Sequence, residues 1–315
     1  RGAIFDMNGQ SYIDITGLKI GYSYATWVYG VFMTGGSHDI NITGCEFCNM
    51  SAMATPGSGG AYAVLAYGNG DTEDKAIKNV TVYNNTVHNM NTGYSEALAA
   101  SGNVSDIKFT GNTVYEISNI GIDLYGGGGY CANQEFDQPR NCEISGNTVY
   151  QCVCPYWACA GIYVTNAHDC EVKDNFSYEN AYGIEIAAEN NHYLYPTTKI
   201  SVTGNTVHDN HDGGITIGGV DIRDIKADHL RRNIGMVLQE PFLFSRSIKD
   251  NIGITREGIT LSEIRDAASA ACLDETVEGF AKGYDTFVGE RGVTLSGGQK
   301  QRCAIAAALA KDAEV

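Results

Sequence analysis

The chain has 315 residues, enough for about two ordinary domains, and a formal net charge of −16 at pH 7. This acidic balance argues against nucleic acid or an anionic membrane surface as a partner, because both are themselves negatively charged. It also disfavours a polyanionic glycan unless a cation such as Ca²⁺ bridges the two. No apolar run approaches the roughly 20 residues that span a bilayer, so no transmembrane segment is expected.

The composition changes abruptly near residue 220. Residues 1–220 contain 22 acidic and 8 basic residues, whereas residues 221–315 contain 15 and 13. Of the 19 tyrosines, 18 lie before residue 221, as do 29 of the 38 glycines. Such a shift is typical of a domain boundary. The sequence predicts one domain over residues 1–217 and a second over residues 218–315.

The first domain is built from a repeated 13-residue segment. Six copies align without gaps: His38–Met50, Lys78–Met90, Ser105–Ile117, Arg140–Cys152, His168–Asn180 and Thr198–Asn210. One apolar position recurs in every copy and in a weaker copy before them: Ile13, Ile40, Val80, Ile107, Cys142, Cys170 and Ile200. A repeat that alternates apolar and polar residues predicts stacked short strands with these side chains in an internal ladder.

Asparagine and cysteine recur in the same repeats. Asn85, Asn112, Asn147 and Asn205 occupy equivalent positions, which predicts a ladder of side-chain amides at a turn. Cys142 and Cys170 fall one coil apart in the apolar ladder, where they serve as small buried side chains, a disulfide between them being the alternative. Cys45 and Cys48 form a lone C-x-x-C without a second pair at zinc-site spacing, so no metal site is predicted.

This pattern resembles the right-handed parallel β-helix repeat proteins, a group that includes polysaccharide lyases, glycosidases and surface proteins without known activity. The resemblance implies an all-β right-handed parallel β-helix, a solenoid, over residues 1–217, working outside the cell or at its surface. Lyases of this type commonly use Ca²⁺ with a Lys or Arg base. The region has only 8 basic residues, so hydrolysis or binding of a glycan is favoured over lyase chemistry.

A second short strand follows each of the last four copies and reads Gly-Ile-x-Ile or a close variant. Its middle residue is predicted to point outward, which gives the column Asp123, Tyr163, Glu185 and Thr216. Asp123 and Glu185 would lie two rungs apart, on the order of 10 Å. Carboxylates at about that separation suit an inverting glycosidase, one as acid and one as base. Glu189 is a third catalytic candidate, and the alternative is a column of solvated carboxylates.

Aromatic residues in the flanking insertions supply a candidate sugar-binding platform. The candidates for contact with substrate are Tyr163, Tyr130, Tyr156, Trp157 and Tyr193. Aromatic faces beside carboxylates are suited to stacking on sugars. The competing interpretation is a non-catalytic structural or surface-adhesion solenoid, in which these rings cover the ends of the coils.

Residues 218–315 resemble part of the nucleotide-binding domain of an ABC exporter. Leu295–Gln299 read LSGGQ, the family's signature, and Gln239 lies in the stretch that matches its Q-loop. The resemblance implies a partial α/β, mostly helical segment. Ser296, Gly297, Gly298 and Gln299 would then contact ATP held by a partner domain, and Gln239 would help to place Mg²⁺. ATP and Mg²⁺ are expected only through this resemblance.

The segment lacks other parts of that family's site. No Gly-Lys-Ser or Gly-Lys-Thr occurs in the chain, so the Walker A lysine is missing, and Walker B would begin after Val315. We therefore expect no ATPase activity from this chain alone, only a signature offered in trans to an intact ABC partner. Residues 213–222 fit both families, which suggests a chimera. The resemblance implies that the second part works on the cytoplasmic face of a membrane.

Overall fold

The computed structural model describes residues 2–53, 59–154, 159–189, 195–218, 220–221, 242–256, 258–289 and 295–310. The chain divides into two compact units, residues 1–224 and residues 225–315. The first unit contains 24 strands in three sheets, here called A, B and C.

The strands are short and fall into the three sheets as follows. Sheet A contains β1 (Gly2–Asp6), β4 (Trp27–Met33), β7 (Gly60–Gly68), β10 (Leu98–Gly102), β13 (Ile122–Tyr125), β17 (Ala160–Thr165), β20 (Tyr182–Ala187), β23 (Gly213–Ile217) and β24 (Val220–Asp221). Sheet B contains β2 (Ile13–Thr16), β5 (His38–Thr43), β8 (Ile77–Tyr83), β11 (Val104–Thr110), β14 (Pro139–Arg140), β15 (Glu143–Ser145), β18 (His168–Lys173) and β21 (Thr198–Thr203). Sheet C contains β3 (Lys19–Ala25), β6 (Glu46–Ala52), β9 (Thr86–Met90), β12 (Thr113–Ile117), β16 (Thr148–Cys152), β19 (Phe176–Tyr178) and β22 (Thr206–His208).

The chain enters sheets A, B and C in turn, and each round adds one rung to all three. Pairings between these strands are parallel, apart from β23 with β24. The prediction of stacked parallel strands is therefore confirmed. Because side chains alternate between the faces of a strand, each rung sends one set into a shared core and the other set outward.

The predicted apolar ladder lies in that core. Ile13 pairs with Ile40, Ile40 with Val80, and Val80 with Ile107 across sheet B. Most of the ladder is buried, Cys142 and Cys170 included, at 2% and 1% exposure. Both cysteines are free thiols, as the small-hydrophobe interpretation requires. Burial raises the pKa of the Cys142 thiol, which keeps it protonated and inert.

Left-handed backbone positions recur at the same place in every rung. The second residue of each 13-residue copy has φ of 53–54°: Asp39, Asn79, Asp106, Asn141, Asp169 and Lys199. The twelfth residue has φ of 52–55°: Asn49, Asn89, Glu116, Gln151, Glu179 and Asp209. Asn and Asp tolerate this conformation better than other residues that carry a side chain. Their frequency therefore reflects the bends of the rungs.

The predicted asparagine ladder is confirmed and is one member longer than the sequence indicated. Each amide Nδ2 donates to the Oδ1 of the next asparagine at 2.9–3.0 Å, along the series Asn85, Asn112, Asn147, Asn175 and Asn205. Each Oδ1 also accepts from a backbone N–H, as Asn147 does from Asn112 at 2.8 Å. This column satisfies buried backbone groups where the chain turns from sheet B to sheet C.

The second unit is partly helical and has a core of its own. Its helices are α1 (Ile248–Ile252), α2 (Leu261–Ala270), α3 (Asp274–Glu278) and α4 (Gly297–Ala310). Helix α2 begins with a capping box between Thr260 and Glu263. Helix α4 places Cys303 and Ala306 against Ile252 and Ile264 in the buried cluster. None of the helices among the described residues is long and apolar enough to cross a membrane.

Candidate functional site

The column predicted on sheet A is present in register. Asp123 pairs with Tyr163, Tyr163 with Glu185, and Glu185 with Thr216. Two strand steps separate Asp123 from Glu185, which corresponds to about 10 Å. The neighbours of Asp123 along the strand, Ile122 and Leu124, are fully buried in the core. The Asp123 side chain therefore lies on the opposite, outer face of sheet A.

The column points outward as predicted, but two of its members are shielded from solvent. Asp123 and Thr216 are each only 1% exposed, although both lie on the outer face. Neither carboxylate oxygen of Asp123 has a hydrogen-bond partner among the described residues, nor does the Thr216 hydroxyl. A buried and unpaired carboxylate costs several kcal/mol if it is ionised, so a purely structural origin is unfavourable.

The groups around Asp123 are acidic rather than basic. Burial first, and then the nearby Glu96 and Glu189, raise the pKa of Asp123 well above its usual range. Glu185, half-buried, also has a raised pKa through burial and the proximity of Glu189. Glu189 thus interacts electrostatically with the other three carboxyl groups, and Glu96 with Asp123; we call Glu96, Asp123, Glu185 and Glu189 the carboxylate cluster.

Glu96 is the member that sequence reasoning missed. Burial first, and then the charge of Glu189, raise the pKa of this half-buried carboxyl to about 8. Tyr62 hydrogen-bonds to the same carboxyl group. At neutral pH Glu96 therefore carries a proton. Its only signal in the sequence is an isolated acid immediately before the apolar run of residues 97–100.

Tyrosines surround the cluster. The hydroxyl of Tyr125 hydrogen-bonds to Glu189, whose backbone N–H also donates to Thr165 at 3.0 Å. Burial and the charges of the cluster raise the pKa of Tyr125, Tyr130 and Tyr163, so all three keep their hydroxyl proton. Of the predicted substrate-binding residues, Tyr130 and Tyr163 therefore do lie beside the predicted carboxylates.

An aromatic groove continues along the same face. It is a cavity of about 430 Å³ lined by Trp27, Tyr29, Phe32, Tyr62, Leu65, Tyr67, Ser101 and Tyr130. The ring of Tyr130 meets the edge of Tyr67 at 5.1 Å and lies 6.0 Å from Tyr125. Tyr62 and Tyr130 consequently belong to the groove and border the cluster as well, so the two features form one continuous surface.

Some predicted residues cannot be compared with the structure. Tyr156, Trp157 and Tyr193, proposed as sugar contacts, lie outside the described residues, as does Gln239 of the second unit. The described candidates of the first unit are Asp123, Glu185, Glu189, Tyr130 and Tyr163, and those of the second are Ser296, Gly297, Gly298 and Gln299. The aromatic residues of β4 and β7 were not predicted as part of the site, because no acidic residue alternates with them in the sequence.

The carboxylate cluster does not offer a ready Ca²⁺ site. Among the described residues, only one group of three or more potential metal ligands has its ligand atoms within 4.8 Å of one another, and that group lies on sheet C. Ca²⁺ needs six to eight oxygen ligands at close range.

The family of the larger part follows from a family model. Residues 3–223 match the model for the right-handed β-helix region, which is more than half of the chain. The chain belongs to the right-handed β-helix family. This assignment agrees with the three parallel sheets and with the cyclic order in which the chain enters them. It does not specify a substrate for the β-helix.

A second family model, for ABC transporters, matches residues 200–315. The two matches overlap over residues 200–223, which include the stretch 213–222 that fits both sequence patterns. Strands β21 to β24 of the β-helix lie in this shared stretch or reach it.

Relatives of the second part are ABC transporters. A multidrug export ATP-binding/permease protein of Bacillus subtilis is 51% identical over 105 residues, 33% of this chain and 18% of that protein. ABC transporter B family member 19 of Arabidopsis thaliana is 52% identical over 103 residues, 33% of this chain and 8% of that protein. The chain spans less than a fifth of the length of the curated relatives it matches.

A solved structure gives a similar match. A bacterial Atm1-family ABC exporter with ATP bound is 42% identical, over 30% of this chain and 17% of that chain, with a TM-score of 0.29.

The signature residues of the second unit open a helix, as predicted. Helix α4 begins at Gly297, and the Ser296 hydroxyl accepts from the Gln299 backbone N–H at 3.3 Å. The Gln299 side chain accepts from the Ser296 N–H at 2.8 Å in return. This reciprocal pair is a capping box, and it leaves the backbone of Gly297 and Gly298 at the positive end of the helix.

Proposed function

We propose that the outer face of sheet A binds carbohydrate and that its carboxylate cluster hydrolyses a glycosidic bond. The observation that carries this proposal is the continuity of an aromatic groove with buried carboxyl groups of raised pKa, joined through Tyr62 and Tyr130. Aromatic rings bind the faces of sugars, and paired carboxyl groups with different proton affinities are the reacting groups of most glycosidases.

The roles follow from protonation and exposure. Glu96 holds a proton at neutral pH and acts as the acid that protonates the glycosidic oxygen. The exposed Glu189 acts as the base that takes a proton from water, while that water adds to the anomeric carbon. Asp123 is too buried to contact a glycan directly, so it acts as a positioning residue: burial raises its pKa and keeps its carboxyl neutral beside Glu96.

The substrate class follows from charge. The unit that contains the groove is strongly acidic, and all four members of the cluster are acidic. A polysaccharide that carries carboxylates or sulfates would be repelled. The preferred ligand is therefore a neutral glycan, presented at the cell surface or outside the cell.

The test is digestion of a panel of neutral polysaccharides by the full chain, with release of reducing ends as the readout. Glu96→Gln and Glu189→Gln should each lower turnover by about 10²–10⁴-fold, since each removes one acid–base group. Glu143→Gln on the outer face of sheet B is the matched control and should leave turnover unchanged. Glycan binding without turnover would disprove the hydrolysis, and absence of both would favour a structural surface protein.

A second function is favoured for residues 218–315 by the capped signature helix. We propose that this segment, an incomplete ABC ATPase domain, presents Ser296 and Gly298 to ATP bound by an intact ABC partner domain. Adding the chain to such a partner should change its ATPase rate, and Ser296→Ala should remove the change. An unchanged rate would identify the segment as an inert remnant.

The proposal of a chimera has its own test, a single amplicon from source DNA between the codons of Asn147 and Leu295. One product with the present junction would establish a natural fusion. Recovery of the two halves only from separate genes would establish two proteins, of which the β-helix alone should be assayed on glycans.

A further inference from the structure

Sheet C carries a group of side chains on its outer face that the glycan proposal does not use. Glu46 and Cys48 are two residues apart on β6, so they share a face, and Cys48 pairs in register with His88 on β9. Phe47, between them, is buried within the core cluster, whereas Cys48, although also 0% exposed, is not a member of that cluster. The carboxylate, thiol and imidazole therefore converge outside the coil.

The distances suit a metal ion. One ligand atom from each of the three residues lies within 4.8 Å of the other two. The Glu46 Oε1 to His88 Nε2 distance is 3.2 Å. Two ligands about 2.1 Å from a tetrahedral ion lie about 3.4 Å apart, so little movement is needed to admit the ion.

The histidine is already oriented as a ligand. Its ring stacks on Tyr115 at 5.0 Å and 6°, which fixes the plane. Its Nδ1 lies 3.1 Å from Asn89 Oδ1, where it donates, and Asn89 is held in the left-handed conformation of its rung. With Nδ1 held by Asn89, Nε2 is the ring nitrogen that faces Glu46, 3.2 Å away, and it is the atom available to a metal ion, as in metal-binding histidines whose other nitrogen is fixed by a hydrogen bond.

The same residues depart from the repeat. The ninth position of the 13-residue segment is threonine in four of the other five copies, and the first copy has Glu46 there. The eleventh position is His or Tyr in all five others, and the first copy has Cys48. In this one copy, two neighbouring outward positions thus carry residues that can bind a metal, Glu46 and Cys48, and His88 lies beside them on the next strand.

A cation already occupies one side of the group. Lys19 Nζ lies 2.7 Å from Glu46 Oε1, and this contact, followed by that of His88, lowers the pKa of Glu46. Gly21 is the register partner of Cys48 on β3 and brings no side chain to the adjacent position. An ion would compete with Lys19 for Glu46 and could keep a water as its fourth ligand.

From this convergence we propose that Glu46, Cys48 and His88 bind one divalent transition-metal ion of the zinc class. A thiolate, an imidazole and one carboxylate with an open fourth position match the preferences of Zn²⁺ and Co²⁺ and exclude Ca²⁺ and Mg²⁺, which take oxygen ligands. Cys48 loses its thiol proton to solvent when the ion binds. The site lies on a different sheet from the carboxylate cluster and is independent of the glycan proposal.

The test is titration of the full chain with Co²⁺, followed through the thiolate-to-cobalt absorption and competed by Zn²⁺. We expect one equivalent to bind, Cys48→Ser to abolish the band, and His88→Ala to weaken binding by at least about tenfold. Lys19→Met should tighten binding by up to about fivefold, the change that corresponds to losing an exposed competing ion pair.

Two control variants separate this site from adventitious binding. Cys272 is an exposed thiol in the second unit, and His208 is an exposed imidazole at the far end of sheet C. Cys272→Ser and His208→Gln should both retain the band. A band that survives Cys48→Ser, a band lost in Cys272→Ser, or no band in the wild type would each overturn the proposal. If Cys48→Ser does not fold, Glu46→Gln and His88→Ala decide it.

Discussion

The asparagine column and the sheet A column of Asp123 are both stacks of polar side chains with buried members, but they differ in their hydrogen bonds. Every amide along the chain from Asn85 to Asn205 has a partner in the next rung. The carboxylate of Asp123 has no partner among the described residues. A satisfied buried group stabilises a fold, whereas an unsatisfied one costs stability. The comparison separates the structural polar column from the functional candidate.

The two columns also differ in repetition. Asparagine recurs at its position in five of the six aligned copies, because each rung has the same turn to satisfy. The sheet A column changes residue at every rung, from Asp123 to Tyr163 to Glu185 to Thr216. In a repeated fold, residues that repeat serve the architecture. Departures from the repeat are the places to look for chemistry.

The largest change in the free energy of unfolding should come from a substitution in the middle of the asparagine column. Asn147→Ala removes two accepted and two donated hydrogen bonds, so the buried Asn112 backbone N–H loses its acceptor and groups of Asn112, Asn175 and Phe109 each lose one bond. We expect a loss of about 2–4 kcal/mol in the free energy of unfolding of the first unit. Urea unfolding followed by circular dichroism measures it. Asn205→Ala, at the less buried end, should cost about 1 kcal/mol, and an equal loss for both would contradict the ladder.

The next effect concerns the carboxylate cluster, whose buried carboxyl groups should make the free energy of unfolding depend on pH. A carboxyl whose folded pKa is raised binds a proton more tightly when folded, so stability falls as pH rises from the unfolded to the folded pKa. For Glu96 that window runs from about 4.5 to about 8. We expect the free energy of unfolding to drop by about 1–2 kcal/mol between pH 5.5 and 8.5, after allowance for partial exposure.

Variants assign that pH dependence to the cluster. Glu96→Gln should flatten the curve, and Asp123→Asn should raise stability at pH 8.5 because it removes a carboxyl whose ionisation is costly. Glu143→Gln, whose carboxyl has a lowered pKa through its bond to Ser145, should not flatten it. A wild-type curve that rises with pH over this range would show that the carboxyl groups are solvated.

Much of this architecture is predictable from the sequence, and the reason is physical. The ladder through Ile13, Ile40 and Val80 and the amide column follow from repetition, since one rung dictates its neighbours. The register of Asp123 with Glu185 follows in the same way. The burial of Asp123 and the proximity of Glu96 to it do not follow from repetition. They depend on segments between the repeats, whose lengths vary from one rung to the next. Glu46, Cys48 and His88 were missed because Cys48 was considered only with Cys45 as a C-x-x-C, although the repeat places Cys48 and His88 at the same position of successive copies.

The smallest effect should come from the stacked rings of sheet C, which repeat as the asparagines do but lie outside the core. His88, Tyr115, Tyr150, Tyr178 and His208 stack at 4.9–5.3 Å with their planes within 6°. Tyr150→Phe keeps the ring and should change the free energy of unfolding by less than about 0.5 kcal/mol, whereas Tyr150→Ala should cost about 1 kcal/mol. The same urea measurement decides it. A large loss of unfolding free energy for Tyr150→Phe would mean that the hydroxyl has a buried hydrogen-bond partner. The outward side chains of sheet C would then be partly buried, as Asp123 is on sheet A.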